Sequence, residues 1–310
     1  MKLLATLSTR VSYPTGSKLF AVEQAFPGAG LTPEQTDPFL MCDFFGPTIS
    51  QGVETNPDQF PVGWHPHRGM DVVTYLIEGV GRHADSMGNR ETFNSPGMQW
   101  CRTGSGIEHA EGGGTPAGQP NTGFQIWINS PSNRKMDNPA YGTESSEHIP
   151  VLTSLGASVR LLCGELGGRA GPLQPSHENG VQLLDVNLNA QSVWEHVLPV
   201  GFDTLFVLVY SGSGVVLPNR QPVHKNGVLW FDATSPTHRS FAIQSSEPMS
   251  FLVFAGRKLH QPVAWHGPFV MTTQREIDQT IYEYQRGTFL KQRANWDYKR
   301  LATKGFKADL

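Results

Sequence analysis

The sequence has few cysteines, no large excess of positive or negative charge, and no long apolar runs. Its three cysteines, Cys42, Cys101 and Cys163, are widely spaced and odd in number, which predicts neither a disulfide framework nor a CxxC zinc site. Lysine and arginine total 24 against 27 acidic residues, a balance that argues against a general nucleic-acid or membrane-surface binder. We therefore expect a reducing, cytoplasmic setting, or the nucleus in a eukaryote.

Membrane and export signals are also missing from the sequence pattern. No apolar run approaches the roughly 20 residues that span a bilayer. The apolar start, MKLLATLSTR, is interrupted by threonine, serine and arginine, and no small-residue cleavage site follows it. We expect no membrane partner and no signal peptide.

Turn-forming residues are abundant, with 33 glycines and 23 prolines, whereas charged residues make up only 16 %. Short apolar runs between frequent turns are typical of an all-β chain. The clearest strand is Val181–Ala190, where leucine and valine alternate with aspartate and asparagine from Leu184 onward. The other predicted strands are Val72–Glu78, Gly123–Asn129, Val159–Cys163, Leu205–Tyr210, Gly227–Phe231 and Met249–Phe254.

Helical periodicity is scarce, and one segment shows it clearly, Gln274–Arg286. Thr273 and Glu276 have the spacing of a capping box, and Gly287 follows as a stop signal. Its apolar stripe consists of Ile277, Ile281 and Tyr284. We expect this helix to pack on the outside of the second β unit.

A polar, turn-rich stretch at residues 130–148 lacks strand periodicity and predicts a domain connection. Comparable amounts of strand-rich sequence lie on either side of it. We therefore predict two β domains, residues 1–135 and residues 136–310.

The sequence WHPHRG, residues 64–69, carries two histidines two positions apart, just before a predicted strand. Residues i and i+2 of a strand point to the same face, so His65 and His67 can share one ion. A lone HxH pair in a chain with 11 histidines more often has no function. The rest of the chain has to decide between the two readings.

A second pair of the same spacing, His109 and Glu111, lies in GSGIEHAEGGG at residues 104–114. If the two segments are neighbours in a barrel, three imidazoles and one carboxylate converge. That set suits Fe(II), Mn, Ni, Cu or Zn. The second half of the chain offers only the scattered His224, His238, His260 and His266, so we expect it to be metal-free.

The sequence resembles the pirin family, whose members are bicupins. The resemblance is carried by HPHRGMDVVTYLIEG (65–79), NSPGMQWCRTGSGIEHAE (94–111), GFQIWINSP (123–131) and GPFVMTTQREIDQTIYEYQRGTF (267–289). It implies two jelly-roll type cupin β-barrels with the C-terminal helix packed outside. It also implies one metal ion, usually iron, bound by His65, His67, His109 and Glu111. Cobalt is a further possible metal besides Mn, Ni, Cu and Zn.

The family resemblance suggests quercetin 2,3-dioxygenase activity on a small aromatic substrate and O₂. Glu111 would then be both a ligand and the base that accepts the flavonol proton. A second hypothesis is a redox-sensing regulator that binds a protein partner rather than DNA. A metal-dependent isomerase or hydrolase on the same barrel is a third, and we expect a monomer in each case.

Five further residues and one segment have interpretations of their own. Asp71 is a candidate for orienting a histidine ligand, or else a structural turn or barrel-rim residue. Trp64 and Trp100 are candidates for an aromatic pocket, whereas Trp127 is expected to be barrel core. Glu108, whose neighbour His109 points the other way, should face outward. We assign no function to the basic tail at residues 291–310.

Overall fold

The protein is described here by a computed structural model, which covers residues 1–14, 21–178, 180–295 and 298–299. The strands in the first half are β1 (Lys2–Ser8), β2 (Arg10–Ser12), β3 (Val22–Phe26), β4 (Phe39–Ile49), β5 (Val62–His67), β6 (Met70–Glu78), β7 (Val80–Asp85), β8 (Arg90–Asn94), β9 (Gly97–Arg102), β10 (Ile107–Glu111), β11 (Pro120–Asn129), β12 (Ala140–Glu144) and β13 (Val151–Ser154).

The second half continues with strands and ends with a helix. Its strands are β14 (Ala157–Cys163), β15 (Glu165–Leu166), β16 (Arg169–Ala170), β17 (Val181–Leu188), β18 (Val193–Val197), β19 (Thr204–Ser211), β20 (Ser213–Leu217), β21 (Gln221–His224), β22 (Gly227–Asp232), β23 (Ser240–Ser245), β24 (Met249–Gly256), β25 (Ala264–His266) and β26 (Phe269–Met271). The helices are α1 (Pro33–Thr36) and α2 (Gln274–Gln285), with a 3-10 turn at Pro57–Gln59. Each of the seven predicted strands is confirmed.

Contacts divide the chain into two compact units that are not contiguous in sequence. One contains Met1–Ser12, Val22–Phe44 and Glu147–His260, and we call it the C-terminal cupin. The other contains Tyr13–Ala21, Phe45–Ser146 and Gln261–Leu310, and we call it the N-terminal cupin. The terminal segments are therefore exchanged between the halves, an arrangement that a single boundary after residue 135 does not describe.

The C-terminal cupin is built from two antiparallel sheets around an apolar interior. The order is β1-β22-β19-β24-β17-β14-β13 in one sheet and β18-β23-β20-β21 in the other. Alternate residues of both sheets, such as Leu184, Val207 and Phe241, form one buried cluster. Burial of this apolar surface is the main stabilising contribution to the unit.

One buried histidine interrupts that apolar interior. His196 on β18 stacks on Trp194, with ring centroids 5.3 Å apart, and its Nε2 lies 2.8 Å from Oε1 of Gln182. Burial lowers the pKa of His196 from 6.5 to about 4. The imidazole is therefore neutral inside the folded protein near neutral pH.

We expect the free energy of unfolding to fall as the pH drops from about 6.5 to about 4. In this window the unfolded chain binds a proton at His196 that the folded chain does not, so acidification favours unfolding by up to about 3 kcal/mol. Urea unfolding at several pH values measures this slope. His196→Phe has no group that titrates at this position, so the free energy of unfolding should depend less steeply on pH. An unchanged dependence on pH would show that other groups cause it.

The N-terminal cupin also has two antiparallel sheets. One runs β12-β9-β6-β11 and continues to β4, whose residues from Phe45 onward belong to this unit, and the other runs β5-β10-β7-β8. Tyr75, Phe124 and Met70 are fully buried. However, glutamine, glutamate and histidine side chains from the two sheets meet in its interior, so this barrel, unlike the C-terminal cupin, has a polar centre.

The stretch at residues 130–148 is only partly the connection that its composition predicts. It contains β12, which pairs with β9 in register Tyr141 to Cys101 and Gly142 to Trp100. The five residues AYGTE are too short and too mixed in polarity to show a strand period. Their pairing is set by the neighbouring strand, which sequence periodicity does not report.

Helix α2 begins after Thr273, and the predicted capping box with Glu276 is confirmed. The expectation that it packs on the second β unit is wrong, because its contacts lie within the N-terminal cupin. Ile277 packs with Phe269, Met271 and Phe289 in a small buried cluster. Within the described part of the chain, no helix has the length and apolar character needed to cross a membrane.

Candidate metal centre

The two sequence pairs lie on neighbouring antiparallel strands, as the spacing argument required. On β5 and β10, His109 is directly opposite His65, and Ile107 is opposite His67. His67 and His109 are almost fully buried, at 2 % and 1 % exposure, whereas His65 is only half-buried. The cluster is therefore closed on one side and reaches solvent at His65.

Three imidazoles converge on one point. One nitrogen from each of His65, His67 and His109 lies within 4.8 Å of the others. The ring centroids are 4.7 Å apart for His65 and His67 and 4.4 Å apart for His65 and His109. No second group of this kind occurs among the described residues.

The hydrogen bonds leave ring nitrogens available for a metal. Nδ1 of His65 lies 2.7 Å from the carbonyl oxygen of Gly63, an arrangement that places the proton on Nδ1 and the lone pair on Nε2. That Nε2 is 2.9 Å from Nε2 of His109. Two imidazole nitrogens bound at about 2.1 Å and at right angles would be about 3 Å apart, so the spacing fits adjacent ligands of one ion.

The environment keeps the two buried rings neutral. Burial, then the neighbouring rings of His65, His67 and His83, lowers the pKa of His109 well below its usual range. Burial and His65 lower the pKa of His67 in the same way, against a smaller opposing effect of the Pro268 backbone. A neutral imidazole is the form that binds metal, so no proton has to be displaced from these two residues at neutral pH.

Glu111, the fourth predicted ligand, is not a member of the three-histidine group. It is 8 % exposed, and both of its carboxylate oxygens accept hydrogen bonds from side chains of the opposite sheet. Gln125 donates to Oε1 at 3.0 Å, and Gln99 donates to Oε2 at 2.6 Å. The carboxylate is thus held in the barrel interior, two residues along β10 from His109.

A second histidine and carboxylate pair was missed in the sequence. His83 is fully buried on β7, its Nε2 lies 3.0 Å from Oδ2 of Asp85, and its ring stacks on Tyr141 at 3.9 Å. The His83 and His109 rings meet edge to face at 5.3 Å. The sequence VGRHAD has the same i, i+2 spacing as the two pairs that were recognised, so a signal was present.

Tryptophan placement differs from expectation. Trp127 is partly exposed rather than core, its ring contacts His67 at 5.1 Å, and Trp265 lies 5.9 Å further on. Its indole Nε1 has no hydrogen-bond partner among the described residues. Trp64 instead bonds to Asp58, and Trp100 to Glu144. The aromatic wall beside the histidines is thus formed by Trp127 and Trp265.

Two residues adjacent to the predicted ligands bind the C-terminal segment, which we define as α2 together with the described residues that follow it, up to residue 299. Arg68 follows His67, is 1 % exposed, and donates to the Ser105 carbonyl, to Thr280 and to Glu283. Glu108 precedes His109, is buried at 9 % exposure rather than open to solvent, and accepts a 2.6 Å hydrogen bond from the hydroxyl of Tyr298. Residues 296, 297 and 300–310 of the basic tail lie outside the described residues.

Among the described residues, neither Asp71 nor a histidine of the second half is a member of the three-histidine group. Asp71 is buried on β6, opposite Arg102 and Ile128. His260 bonds to Asp203 at 3.2 Å, and His238 lies near Ser235 and Thr237. The orienting role of Asp71 stays a prediction.

Comparison with known proteins finds a family match for each of the two cupins. Residues 20–128 match the pirin family, and residues 183–290 match the pirin C-terminal cupin domain. A pirin-like protein of Caulobacter vibrioides is 37 % identical over 264 residues, covering 83 % of this chain and 90 % of the relative. Pirin-like protein 2 of Arabidopsis thaliana is 34 % identical over 254 residues, covering 81 % and 75 %.

Among solved structures, quercetin 2,3-dioxygenase from Acinetobacter baumannii matches with a TM-score of 0.82 and 28 % sequence identity. The match covers 93 % of this chain and 98 % of that protein. Sequence, fold and histidine cluster lead to the same assignment: the chain belongs to the pirin family, as a two-cupin protein.

Proposed function

We propose that the protein is a metal-dependent dioxygenase that opens flavonols such as quercetin with O₂. The observation that carries the proposal is the group of three imidazoles, two of them buried and neutral, that reaches solvent beside an aromatic wall. Similarity to a quercetin 2,3-dioxygenase along nearly the whole chain supports it. A site that is buried on one side and reaches solvent on the other can admit a flat flavonol as well as O₂.

The ligands in this proposal are His65, His67, His109 and Glu111. A metal bound there would polarise a substrate oxygen and support the reaction with O₂. Fe(II) is the ion we propose, and Mn, Ni, Cu, Zn or Co would also accept three imidazoles and a carboxylate. Four protein ligands leave two positions of an octahedron for substrate or oxygen.

The chain's own residues would bind the flavonol and take its proton. Trp127 and Trp265 offer ring faces to a flat substrate. Glu111 would accept the proton of the flavonol hydroxyl as the substrate binds, since an ionised carboxylate is an acceptor only. Glu111 is therefore both a ligand and the proposed base.

Oxygen uptake by Fe(II)-loaded protein given quercetin tests the proposal. We expect O₂ consumption that matches flavonol consumption and that stops under anaerobic conditions. Product formed without oxygen would indicate an isomerase or hydrolase instead. No uptake with any flavonol, by protein carrying one iron per chain, would contradict the proposal.

A regulatory role is the second candidate, and the contacts of Arg68 and Tyr298 favour it. Arg68, next to His67, bonds to Glu283, and Glu108, next to His109, bonds to Tyr298. A change in the oxidation state of the ion would therefore alter the C-terminal segment and the surface that it offers to a protein partner. Hydrogen exchange of residues 274–295, measured with Fe(II) and with Fe(III), tests this. Different protection supports the role, and identical protection argues against it.

We further propose a cytoplasmic monomer, or a nuclear one if the source is eukaryotic. All three cysteines are buried and none is joined in a disulfide, as suits a reducing compartment. The net charge of −3 favours a protein partner over nucleic acid in any regulatory role. Size-exclusion chromatography with light scattering should give a mass close to the 34.1 kDa of one chain.

A further inference from the structure

Four polar side chains form a closed hydrogen-bonded ring inside the N-terminal cupin. They are Thr74 on β6, Gln99 on β9, Glu111 on β10 and Gln125 on β11. Thr74 is in register with Gln99 on one side and with Gln125 on the other, so the sheet itself aligns three of the four. Glu111 comes from the facing sheet and completes the ring.

Donor and acceptor roles are defined all the way round. Gln99 Nε2 donates one proton to Glu111 Oε2 at 2.6 Å and the other to the Thr74 hydroxyl oxygen at 3.0 Å. The Thr74 hydroxyl donates to Gln125 Oε1 at 2.6 Å, a shorter contact than its 3.1 Å to Glu111 Oε2. Gln125 Nε2 then donates to Glu111 Oε1 at 3.0 Å. Every contact in the ring therefore has one defined donor and one defined acceptor.

Tyr141 fixes the orientation of one amide from outside the ring. Its hydroxyl donates to Gln99 Oε1 at 3.3 Å, so Nε2 of Gln99 is the atom that turns toward Glu111. Tyr141 lies on β12 and stacks on His83, itself next to His109. The ring is therefore continuous with the packing around the three histidines.

The ring leaves part of the carboxylate free. A carboxylate has about four acceptor positions. From the residues that the structure describes, Oε1 receives one hydrogen bond, donated by Gln125, and so keeps a lone pair for another partner. A carboxylate held by two amide donors also loses little rotamer freedom when it acts, because its position is already determined.

We propose that Gln99, Gln125 and Thr74 are positioning residues that hold Glu111 as the fourth ligand of the centre at His65, His67 and His109. This inference rests on the proposed function in one respect, the assignment of Glu111 as a ligand. Side chains that hydrogen-bond to a ligating group commonly change metal affinity 10–100-fold when they are removed. The amides and the hydroxyl thus set how tightly the ion binds.

Co(II) titration of the metal-stripped full-length protein tests the proposal, with a competing chelator and the visible spectrum as readouts. Gln99→Met and Gln125→Met keep the approximate volume and remove the donor, and we expect affinity to fall about 10–100-fold in each. Thr74→Val should weaken binding, and Thr74→Ser, which keeps the hydroxyl, should restore it. Gln182→Met is the matched control, because Gln182 is 1 % exposed and bonds to His196 in the C-terminal cupin.

A double variant that combines Gln99→Met with Glu111→Gln distinguishes failure of the ring proposal from failure of the four-ligand centre. If the ring acts through Glu111, adding Gln99→Met to Glu111→Gln lowers affinity no further, and the proposal is supported. If Glu111→Gln weakens Co(II) binding but Gln99→Met and Gln125→Met bind within about twofold of wild type, the ring is overturned and the four-ligand centre stands. If Glu111→Gln binds Co(II) like wild type with an unchanged spectrum, the four-ligand centre fails and the ring proposal with it.

Discussion

Replacing His109 with alanine is expected to lower metal affinity more than about 100-fold and to abolish oxygen uptake with flavonols. His109 is 1 % exposed and faces His65 across 2.9 Å, so its loss removes the nitrogen that joins the two ligand strands at the ion. Without His109 the proposed centre keeps two imidazoles and Glu111, so the protein holds the ion with one nitrogen ligand fewer and competes less well with buffer and chelator. Chelator competition with Fe(II) under anaerobic conditions gives the affinity.

The matched control is His196→Ala, because His196 is also a buried histidine, at 3 % exposure, but lies in the C-terminal cupin. Its removal should leave metal affinity unchanged. Wild-type affinity in His109→Ala, with one ion per chain, would place the metal elsewhere.

The second large effect is on stability, and it concerns Arg68. We expect Arg68→Met to destabilise the N-terminal cupin by about 3 kcal/mol, because it breaks the ion pair of a buried guanidinium and removes the hydrogen bonds that the guanidinium donates. The guanidinium lies 2.8 Å from Glu283, over the Phe289 ring at 4.5 Å, and donates to two carbonyl oxygens and Thr280. Glu283 keeps Lys291 at 2.8 Å, which limits the loss.

Scanning calorimetry measures this change as a shift of the melting transition by roughly 6–12 °C. Arg134→Met is the control, since Arg134 pairs with Asp137 at the surface, where such pairs contribute at most about 1 kcal/mol. Equal melting temperatures for Arg68→Met and wild type would show that α2 is held by its apolar contacts alone.

The three-histidine group was predictable because it depends on local spacing and strand pairing. Two strands with i, i+2 pairs can be read from the sequence, and antiparallel pairing then places His65 opposite His109. The capping box of α2 was predictable for the same reason, since Thr273 and Glu276 interact within one turn.

What sequence reasoning missed depends on contacts between distant segments. Gln99 and Gln125 look like ordinary polar strand residues until Glu111 from the facing sheet lies between them. Tyr141 was placed in a connection, because the strand that it occupies is defined by its partner β9. Likewise, nothing in the periodicity of α2 indicates that Arg68, more than 200 positions earlier, is its partner.

The most direct test of the metal centre is anomalous diffraction at the iron edge from crystals of Fe(II)-loaded protein. Our account predicts one peak per chain, within bonding distance of the imidazoles of His65, His67 and His109. A single peak elsewhere in the chain, or no peak from protein shown to carry iron, would contradict it.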